Sequence, residues 1–316
     1  MKKTIIAAAA LLIFANLHAS YTLLSTNDSL QVSARDEAIG AGAAASGMGN
    51  AYIGAAQDAV SIFWNPAGMV SLDKSEHPYN MFFSHNMWLM NGMVDSLSVA
   101  KGFKNIGVFG AAVSYYNSGD MDKYGITDNG APVNLNSKFS NYAVTAILSY
   151  ANSLDPNIDF GINAKLIEDT IDTDSMAAFA FDLGLRYNFS YVKGLSINLV
   201  AKDFGGQFGN TVILKQVSLG LLYAFSIEDW NFKAEYDLTG VLRDNAINRA
   251  GIEVKTPYLV VLRAGYFSDN TGLTSGFRNF SFGAGLELNK MYNIDFSIEP
   301  YGELGNAYKM SFGADF

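Results

Sequence analysis

The sequence predicts an all-β protein: a transmembrane antiparallel β-barrel of about 14 strands with an N-terminal hatch segment inside it. Three observations predict this fold. Apolar and polar residues alternate with period two from residue 79 to the end of the chain. An export signal stands at the N-terminus, and a compact segment rich in small residues lies between the two.

The export signal occupies residues 1–19. Lys2 and Lys3 precede an apolar run at residues 5–15, and Leu17-His18-Ala19 resembles a signal peptidase site with cleavage before Ser20. The apolar run is too short to span a bilayer as a helix, which takes about 20 residues. We therefore expect a cleaved signal peptide and export, which leaves periplasmic, secreted and outer-membrane locations. The alternating pattern of residues 79–316 then favours the bacterial outer membrane.

The composition excludes several classes of function. Only 16% of the residues are charged, which is below the roughly 25% of soluble domains. Cysteine is absent, so disulfides, thiolate zinc sites and cysteine nucleophiles are excluded. The net charge is −9, and no cluster of Lys or Arg is present, which argues against nucleic acid as a partner.

Residues 20–78 are predicted to form the hatch. Small side chains dominate residues 34–69 and allow backbones to approach closely. Pro66 removes a backbone donor and pushes Asn65 toward an extended conformation. A bent, compact segment ahead of a long β pattern suggests a plug inside a barrel. The candidate hatch residues are Gly47, Met48, Gly49, Trp64, Asn65, Pro66, Ala67 and Gly68.

Residues 79–316 are predicted to form the barrel. Phe179, Phe181 and Leu183 alternate with Ala180 and Asp182, which gives a strand one apolar and one polar face. The predicted strands are 79–91, 93–102, 105–117, 139–151, 157–168, 176–190, 194–203, 212–225, 229–240, 247–255, 258–267, 278–288, 292–300 and 307–316. A soluble periplasmic β-sandwich would show the same alternation with its apolar faces turned inward.

The connections and the C-terminus favour the barrel. Long connections at residues 117–138, 168–175, 203–211 and 268–277 alternate with short turns, as in outer-membrane barrels. The last strand ends on an aromatic residue in register with its apolar face. A candidate signal for the barrel-assembly machinery is therefore formed by Tyr308, Phe312 and Phe316. We expect outer-membrane lipid to surround the apolar faces of the barrel.

The hatch segment resembles a known family. Its fragments Gly47-Met48-Gly49-Asn50-Ala51-Tyr52, Gln57-Asp58-Ala59 and Trp64-Asn65-Pro66-Ala67-Gly68-Met69 resemble the start of the PorV/PorQ family. That family is related to FadL-type long-chain fatty acid channels. The resemblance implies a hatch that shields a pocket for an apolar small-molecule ligand.

The resemblance also implies an exit through a gap in the barrel wall. A kinked strand would make this gap, and Gly107, Gly110 or Gly119 could permit the kink. PorV-type proteins can serve instead in protein secretion, so exported protein cargo is the alternative partner. For an acidic ligand, residues 34–69 of the hatch segment offer no lysine and a single arginine, Arg35.

The same sequence supports other kinds of functional site less well. Gly40 to Ala45 loosely matches a dinucleotide fingerprint but follows no strand of a βαβ unit. His85 next to Ser84 could suggest a phospholipase, but neighbours in a strand face opposite sides. His77 is the other histidine of the mature chain. We expect no enzyme activity and no cofactor.

Two acidic groups could suggest calcium. One comprises Glu168, Asp169, Asp172 and Asp174, and the other comprises Asp120, Asp122 and Asp128. Neither has the glycine and terminal glutamate of a dedicated calcium loop. Solvated hairpin tips are the better interpretation, and no metal site is predicted.

Overall fold

A computed structural model describes residues 31–32, 39–205, 207–208, 211–213, 215–240, 246–268, 279–289 and 291–316. The signal peptide and the Arg35 position lie outside the described residues, as do parts of the predicted 203–211 and 268–277 connections. Fourteen strands close into one barrel. They are β1 (Tyr79–Met87), β2 (Met93–Phe103), β3 (Gly107–Asn117), β4 (Asn141–Asp155), β5 (Ile158–Ile171), β6 (Asp174–Asn188), β7 (Leu195–Phe204), β8 (Gln216–Ile227), β9 (Trp230–Thr239), β10 (Ile247–Lys255), β11 (Val260–Phe267), β12 (Phe280–Leu288), β13 (Tyr292–Pro300) and β14 (Asn306–Asp315).

Each strand pairs antiparallel with its sequence neighbours, and β14 closes the barrel on β1. Phe312 lies opposite Phe83 in this closing ladder. The seam is sealed at its end because Phe316 N donates to Tyr79 O over 2.8 Å and Tyr79 N donates to Phe316 O over 3.2 Å. The predicted barrel of about 14 antiparallel strands is confirmed.

The apolar faces of the strands point outward. On β6 the side chains of Phe179, Phe181 and Leu183 are 70%, 55% and 57% exposed, whereas Ala180 and Asp182 are buried. A sandwich would bury the three large side chains between its sheets. The structure therefore contradicts the sandwich alternative. Among the described residues, no helix has both the length and the apolar character needed to cross a bilayer.

The two rims differ in their connections. The short-turn rim carries the turns at residues 104–106, 156–157, 189–194, 228–229 and 256–259, and the connection from Leu288 to Tyr292. The long-loop rim carries the 118–140 connection, which contains a hairpin of its own, Met121–Ile126 with Pro132–Phe139. A short 3₁₀ turn, Leu89–Asn91, joins β1 to β2, and another, Gly302–Leu304, joins β13 to β14.

The predicted acidic loop at 168–175 is wrong. β5 and β6 continue through it, and Ile171 pairs with Asp174 across a turn at residues 172–173. The segment keeps its alternation, since Ile167 is buried and Glu168 is exposed. Paired strands satisfy the backbone hydrogen bonds that an open loop would leave to water.

The hatch lies inside the barrel as a plug, residues 39–74. It contains the helices Ala43–Gly47 and Ser61–Trp64 and the 3₁₀ helix Pro66–Lys74. The first helix packs on β12, β13 and β14, and the 3₁₀ helix packs on β4, β5 and β6. Three short strands form a separate small sheet: Gln31–Val32, Gln207–Phe208 and Thr211–Ile213.

Candidate functional site

Glycines of the barrel wall make room for the plug backbone. A Cβ on Gly265 of β11 would lie 1.9 Å from Gly49 N, and a Cβ on Gly47 would lie 2.9 Å from the Cα of Gly283 on β12. These contacts are between backbones, so rotating a side chain cannot relieve them. Met48 between them is fully buried. The Gly47-Met48-Gly49 motif thus lies directly against the barrel wall.

The second motif is anchored in the same way on the opposite wall. A Cβ on Gly161 of β5 would lie 2.3 Å from the Pro66 carbonyl carbon, and a Cβ on Gly184 of β6 would lie 3.0 Å from Pro66 Cδ. Gly161 and Gly184 face each other across the ladder. Asn65 is extended, and its Oδ1 accepts a hydrogen bond from Ala67 N over 3.1 Å.

Pro66 and Gly68 complete this turn. Pro66 occupies the first position of the 3₁₀ helix, where the missing N–H leaves nothing unsatisfied. A Cβ on Gly68 would lie 2.1 Å from Ala56 O, which explains the glycine. Ala67 is fully buried. The predicted hatch residues are therefore the points at which the plug touches itself and the wall.

Carboxylates of β9 hold the middle of the plug. Asp237 Oδ2 accepts from Tyr52 N over 2.8 Å, and Glu235 Oε2 accepts from Ala55 N over 2.8 Å. Both acidic side chains are buried, so few water molecules compete for these hydrogen bonds. The plug backbone at residues 52–55 is therefore fixed to one strand.

The β13–β14 wall adds further polar anchors. Lys309 Nζ donates to Ile39 O over 2.8 Å and lies 3.5 Å from Glu299 Oε1, which accepts from Asn50 Nδ2 over 3.0 Å. Ser311 Oγ accepts from Ala43 N over 3.1 Å. On this side the plug is bound to the wall chiefly by charged and hydroxyl groups.

The opposite side of the plug is mainly apolar. A Cβ on Gly110 of β3 would lie 2.6 Å from Ile62 Cδ1 and 3.0 Å from Met69 Sδ. Ile147 of β4 belongs to the same buried cluster. The plug thus has a polar attachment to β9, β13 and β14 and a largely apolar contact with β3 and β4.

A narrow cleft opens on this apolar side, between the plug and the long-loop rim. Its lining is Gly40, Ala41, Ile62, Phe63, Trp64, Ser96, Ser114, Ile147, Asp182 and Lys202. Trp64 Nε1 donates to Ala41 O over 2.9 Å, which fixes the indole. The cleft volume is about 20 Å³, enough for roughly one water. A larger guest must displace a lining side chain, and Phe63 is only partly buried.

Lys202 of β7 supplies a cation at this cleft. Its ammonium donates to Phe63 O and lies 5.9 Å from the centre of the Trp64 ring. No local pattern in the sequence indicates that a barrel lysine reaches the hatch, because the contact joins residues far apart in the chain. The wall therefore supplies a basic group at the cleft, whereas residues 39–73 of the plug contain no lysine or arginine.

The wall beside the cleft is irregular. The β6–β7 register shifts between Ala201 and Phe204, as in a β-bulge. Asp203 N donates to Asp182 Oδ1 over 3.0 Å. The buried Lys165 of β5 is paired with both carboxylates, at 2.9 Å from Asp182. The three side chains join β5, β6 and β7 at this irregularity.

A larger vestibule lies on the other side of the plug, toward the short-turn rim. Its volume is about 540 Å³, and Tyr52 and Asp58 of the plug form part of its lining. Arg263 crosses it, with Nε 2.6 Å from Glu253 and Nη1 2.6 Å from Asp295. Burial raises the pKa of Asp58 to about 6; the Val60 amide opposes this rise and Asp315 adds to it.

The three glycines proposed for a wall kink have other surroundings. β3 pairs in regular register with β2 and with β4 along its whole length. Gly110 accommodates the plug, as described above. Gly107, with φ +117°, begins β3 against Tyr150, and Gly119, with φ +72°, packs on Asn91 beyond the end of β3. Each of these glycines thus has a role in packing or in a turn.

The other residues singled out in the sequence are not brought together. Ser84 faces the lumen, whereas His85 faces outward and its Nδ1 lies 2.6 Å from Asp95 Oδ1. Glu168 is exposed on the outer face, and Asp169 is buried on the inner face. In the described ranges no three His, Asp or Glu side chains form a metal-binding group.

The remaining acidic and glycine-rich candidates lie in strands, turns and ion pairs. Asp172 pairs with Lys123 of the hairpin, and Asp174 begins β6. Asp122 lies in the hairpin strand Met121–Ile126, Asp120 precedes it, and Asp128 is in the turn that follows. His77 lies just before β1. The glycine-rich Gly40 to Ala45 segment opens a short helix inside the plug rather than a βαβ unit.

The last strand has the predicted orientation. Phe312 and Phe316 are exposed on the outer face of the barrel, 37% and 50%, and Tyr308 is half-buried on the same face. Ala314 continues this register but is buried, and it lies between Met81 and Tyr292 in the neighbouring strands. The terminal aromatic side chain is thus presented on the apolar surface.

Solved structures with similar folds include two toluene transporters and a FadL homologue. The Ralstonia pickettii toluene transporter TbuX has a TM-score of 0.60 and 13% identity over 88% of this chain and 98% of its own. The Pseudomonas putida toluene transporter TodX has a TM-score of 0.57 and 12% identity over 90% of this chain and 98% of its own. A Pseudomonas aeruginosa FadL homologue has a TM-score of 0.54 and 11% identity, covering 87% and 98%.

The sequence matches no protein-family model and no curated protein. The likeness is therefore one of fold, and it extends over nearly the whole length of each transporter. The chain has the FadL-like barrel fold of the two toluene transporters and the FadL homologue.

Proposed function

We propose that the protein is an outer-membrane channel for the passive passage of hydrophobic small molecules. The observation that carries this proposal is the cleft beside Phe63 and Trp64, on the apolar side of a plug that blocks the direct path through the barrel. An apolar molecule gains nothing from a water-filled pore, whereas an apolar cleft favours it. The toluene transporters with this fold support the same class of ligand.

The path that we propose follows the apolar side of the plug and leaves through the wall at the bulge on β7. The ladder is irregular between Ala201 and Phe204, and the Asp203 amide is already bonded to a side chain. Opening the wall here breaks fewer backbone hydrogen bonds than opening a regular ladder. The polar anchors on β9, β13 and β14 can stay in place during passage.

The location follows from the surface and the two ends of the chain. The exposed apolar band suits outer-membrane lipid, and residues 1–19 would direct export before removal. Tyr308, Phe312 and Phe316 would then present the terminal strand to the barrel-assembly machinery. The proposal assigns no catalytic residue and no cofactor.

A second candidate function is a PorV-type secretion component that holds exported protein. The observation that favours it is the hairpin at the long-loop rim, where Tyr124 and Ile126 are 60% and 81% exposed. Exposed apolar side chains on a two-stranded hairpin suit a protein partner better than solvent.

Binding to detergent-purified protein separates the two. We expect N-phenyl-1-naphthylamine, a neutral fluorescent apolar probe, to bind, and Phe63→Trp in the cleft to weaken its binding by filling the space. A hairpin variant, Ile126→Ser, should leave binding unchanged. Absence of probe binding, together with a secreted protein that co-purifies only when Ile126 is intact, would contradict the channel and support the second candidate.

A further inference from the structure

A row of hydroxyl groups lines the barrel wall at the cleft. Ser84, Ser96, Ser114 and Thr145 are directly opposite one another in successive ladders of β1, β2, β3 and β4. Residues directly opposite in antiparallel strands share one face of the sheet. All four are buried on the luminal face, between 0% and 3% exposed.

Two members of the row reach the cleft itself. Ser96 and Ser114 are lining residues, and their Oγ atoms lie 3.3 Å apart. A hydroxyl can donate once and accept twice, so one bond between them leaves most of their capacity unused. Thr145, the next in the row, is fully buried, and its Oγ1 has no partner among the described residues.

Such a row is unfavourable beside a pure hydrocarbon. A buried hydroxyl without a partner loses the hydrogen bonds that it makes to water. A hydrocarbon that fills the cleft excludes that water and makes no hydrogen bond to the hydroxyl groups. A guest with an oxygen atom at the wall replaces the lost bonds, and its apolar part still contacts Ile147 and the plug aromatics.

The charges at the cleft favour a neutral guest. The cations are Lys165 and Lys202, and the carboxylates are Asp182 and Asp203, so their formal charges sum to zero. An added carboxylate would make this buried site negative and would lie near two existing carboxylates. A hydroxyl or carbonyl group adds no charge.

We propose that the cleft selects neutral apolar molecules that carry one hydrogen-bonding oxygen, which lies on the Ser96–Ser114 pair. This inference rests on the proposed function and narrows its ligand class. The apolar body of the guest takes the place of the Phe63 ring, which must move because the cleft holds only about one water.

Three guests of similar size test the inference by displacing N-phenyl-1-naphthylamine from detergent-purified protein. They are p-xylene, p-cresol, which has a hydroxyl in place of one methyl, and 4-methylbenzoate, which has a carboxylate. The variants are Ser96→Ala with Ser114→Ala, and separately Thr145→Val, which keeps the shape of the side chain. The control is Ser297→Ala on β13. This hydroxyl is fully buried and also has no partner in the part of the chain that the structure describes, but it is not a lining residue of the cleft.

The double variant should weaken p-cresol binding about 5–10-fold, the effect of about one lost hydrogen bond, and should leave p-xylene binding within about twofold. Thr145→Val should also weaken the binding of p-cresol. Ser297→Ala should change the binding of neither p-cresol nor p-xylene. The inference would be overturned if the double variant weakened the binding of p-cresol and p-xylene equally. It would also be overturned if Ser297→Ala weakened p-cresol binding as much as the double variant does. Binding of 4-methylbenzoate as tight as that of p-cresol would overturn it as well. Binding of p-xylene without preference for p-cresol in any variant would refute only the inference; failure of every guest and the probe would refute the channel as well.

Discussion

Gly265 in the wall and Gly49 in the plug lie so close that a Cβ on Gly265 would fall 1.9 Å from the Gly49 amide nitrogen. Gly49 N is bonded in turn to Ser281 Oγ over 2.9 Å. The plug is therefore seated by backbone contact on β11 and β12, and its position depends on side chains being absent at matched places in two distant segments.

Gly265→Ala should unseat this edge of the plug. Overpacking of a tight contact costs about 1–3 kcal/mol, and here backbone must move because no flexible side chain can. We expect a lower urea midpoint for unfolding and a larger conductance in planar bilayers. The control is Gly125→Ala in the rim hairpin, where the nearest atom is Leu135 Cδ2, in a side chain, at 3.1 Å. Equal behaviour of the two variants would contradict the account.

Pro66→Ala should loosen the opposite edge. Proline at a compatible position stabilises by about 0.4–1 kcal/mol, chiefly by limiting the unfolded chain, and Pro66 also fills the space left by Gly161 and Gly184. We expect small-solute leakage from liposomes to rise above that of the unaltered protein. Leakage that stays the same would count against a sealing role for this turn.

Phe63→Ala should speed the passage of apolar molecules. Removing the ring enlarges a cleft of about 20 Å³ on the route that we propose, whereas the polar anchors of the plug are untouched. We expect faster uptake of a neutral apolar probe into proteoliposomes and little change in ion conductance. A rise in ion conductance matching the rise in uptake would show that the plug, rather than the cleft, had been opened.

Stability should depend on pH through Asp58, which belongs to the plug and not to a spanning strand. Burial raises its pKa to about 6 from an ordinary value of 3.8, so the folded state holds this proton more tightly than the unfolded state. The contribution to stability is complete below about pH 4 and is lost as the pH rises through 6. Asp58→Asn should reduce the change of the urea midpoint with pH between pH 4 and pH 7. A slope identical to that of the unaltered protein would refute the assignment.

Much of the fold could be predicted because its signals are local. The alternation around Phe179 and Asp182 is visible in consecutive residues, and so is the bend at Asn65 and Pro66. The acidic stretch at Glu168 predicts a loop because its charges hide a continuing alternation of apolar and polar residues. Successive side chains of a strand face opposite sides, so Glu168 lies on the outer face and Asp169 on the inner face without interrupting the strand.

The site depended on contacts that no local pattern reveals. Gly161 and Gly184 resemble ordinary strand glycines until the plug is placed against them. Lys202 belongs to an unremarkable strand, and only the closed barrel brings its ammonium to Phe63. Glycines near the first strands suggest a kink there, whereas the β2–β3 and β3–β4 ladders are regular and the β6–β7 ladder shifts register beside the cleft.

The central claim is that the apolar side chains of the strands face lipid and the plug fills the cylinder that they close. Since the chain has no cysteine, single cysteines at positions 178–183 of β6 can each carry a nitroxide label in liposomes. Labels at 179, 181 and 183 should be relaxed strongly by oxygen, which concentrates in lipid, and labels at 178, 180 and 182 should not. A reversed pattern, or no alternation along the strand, would contradict the account.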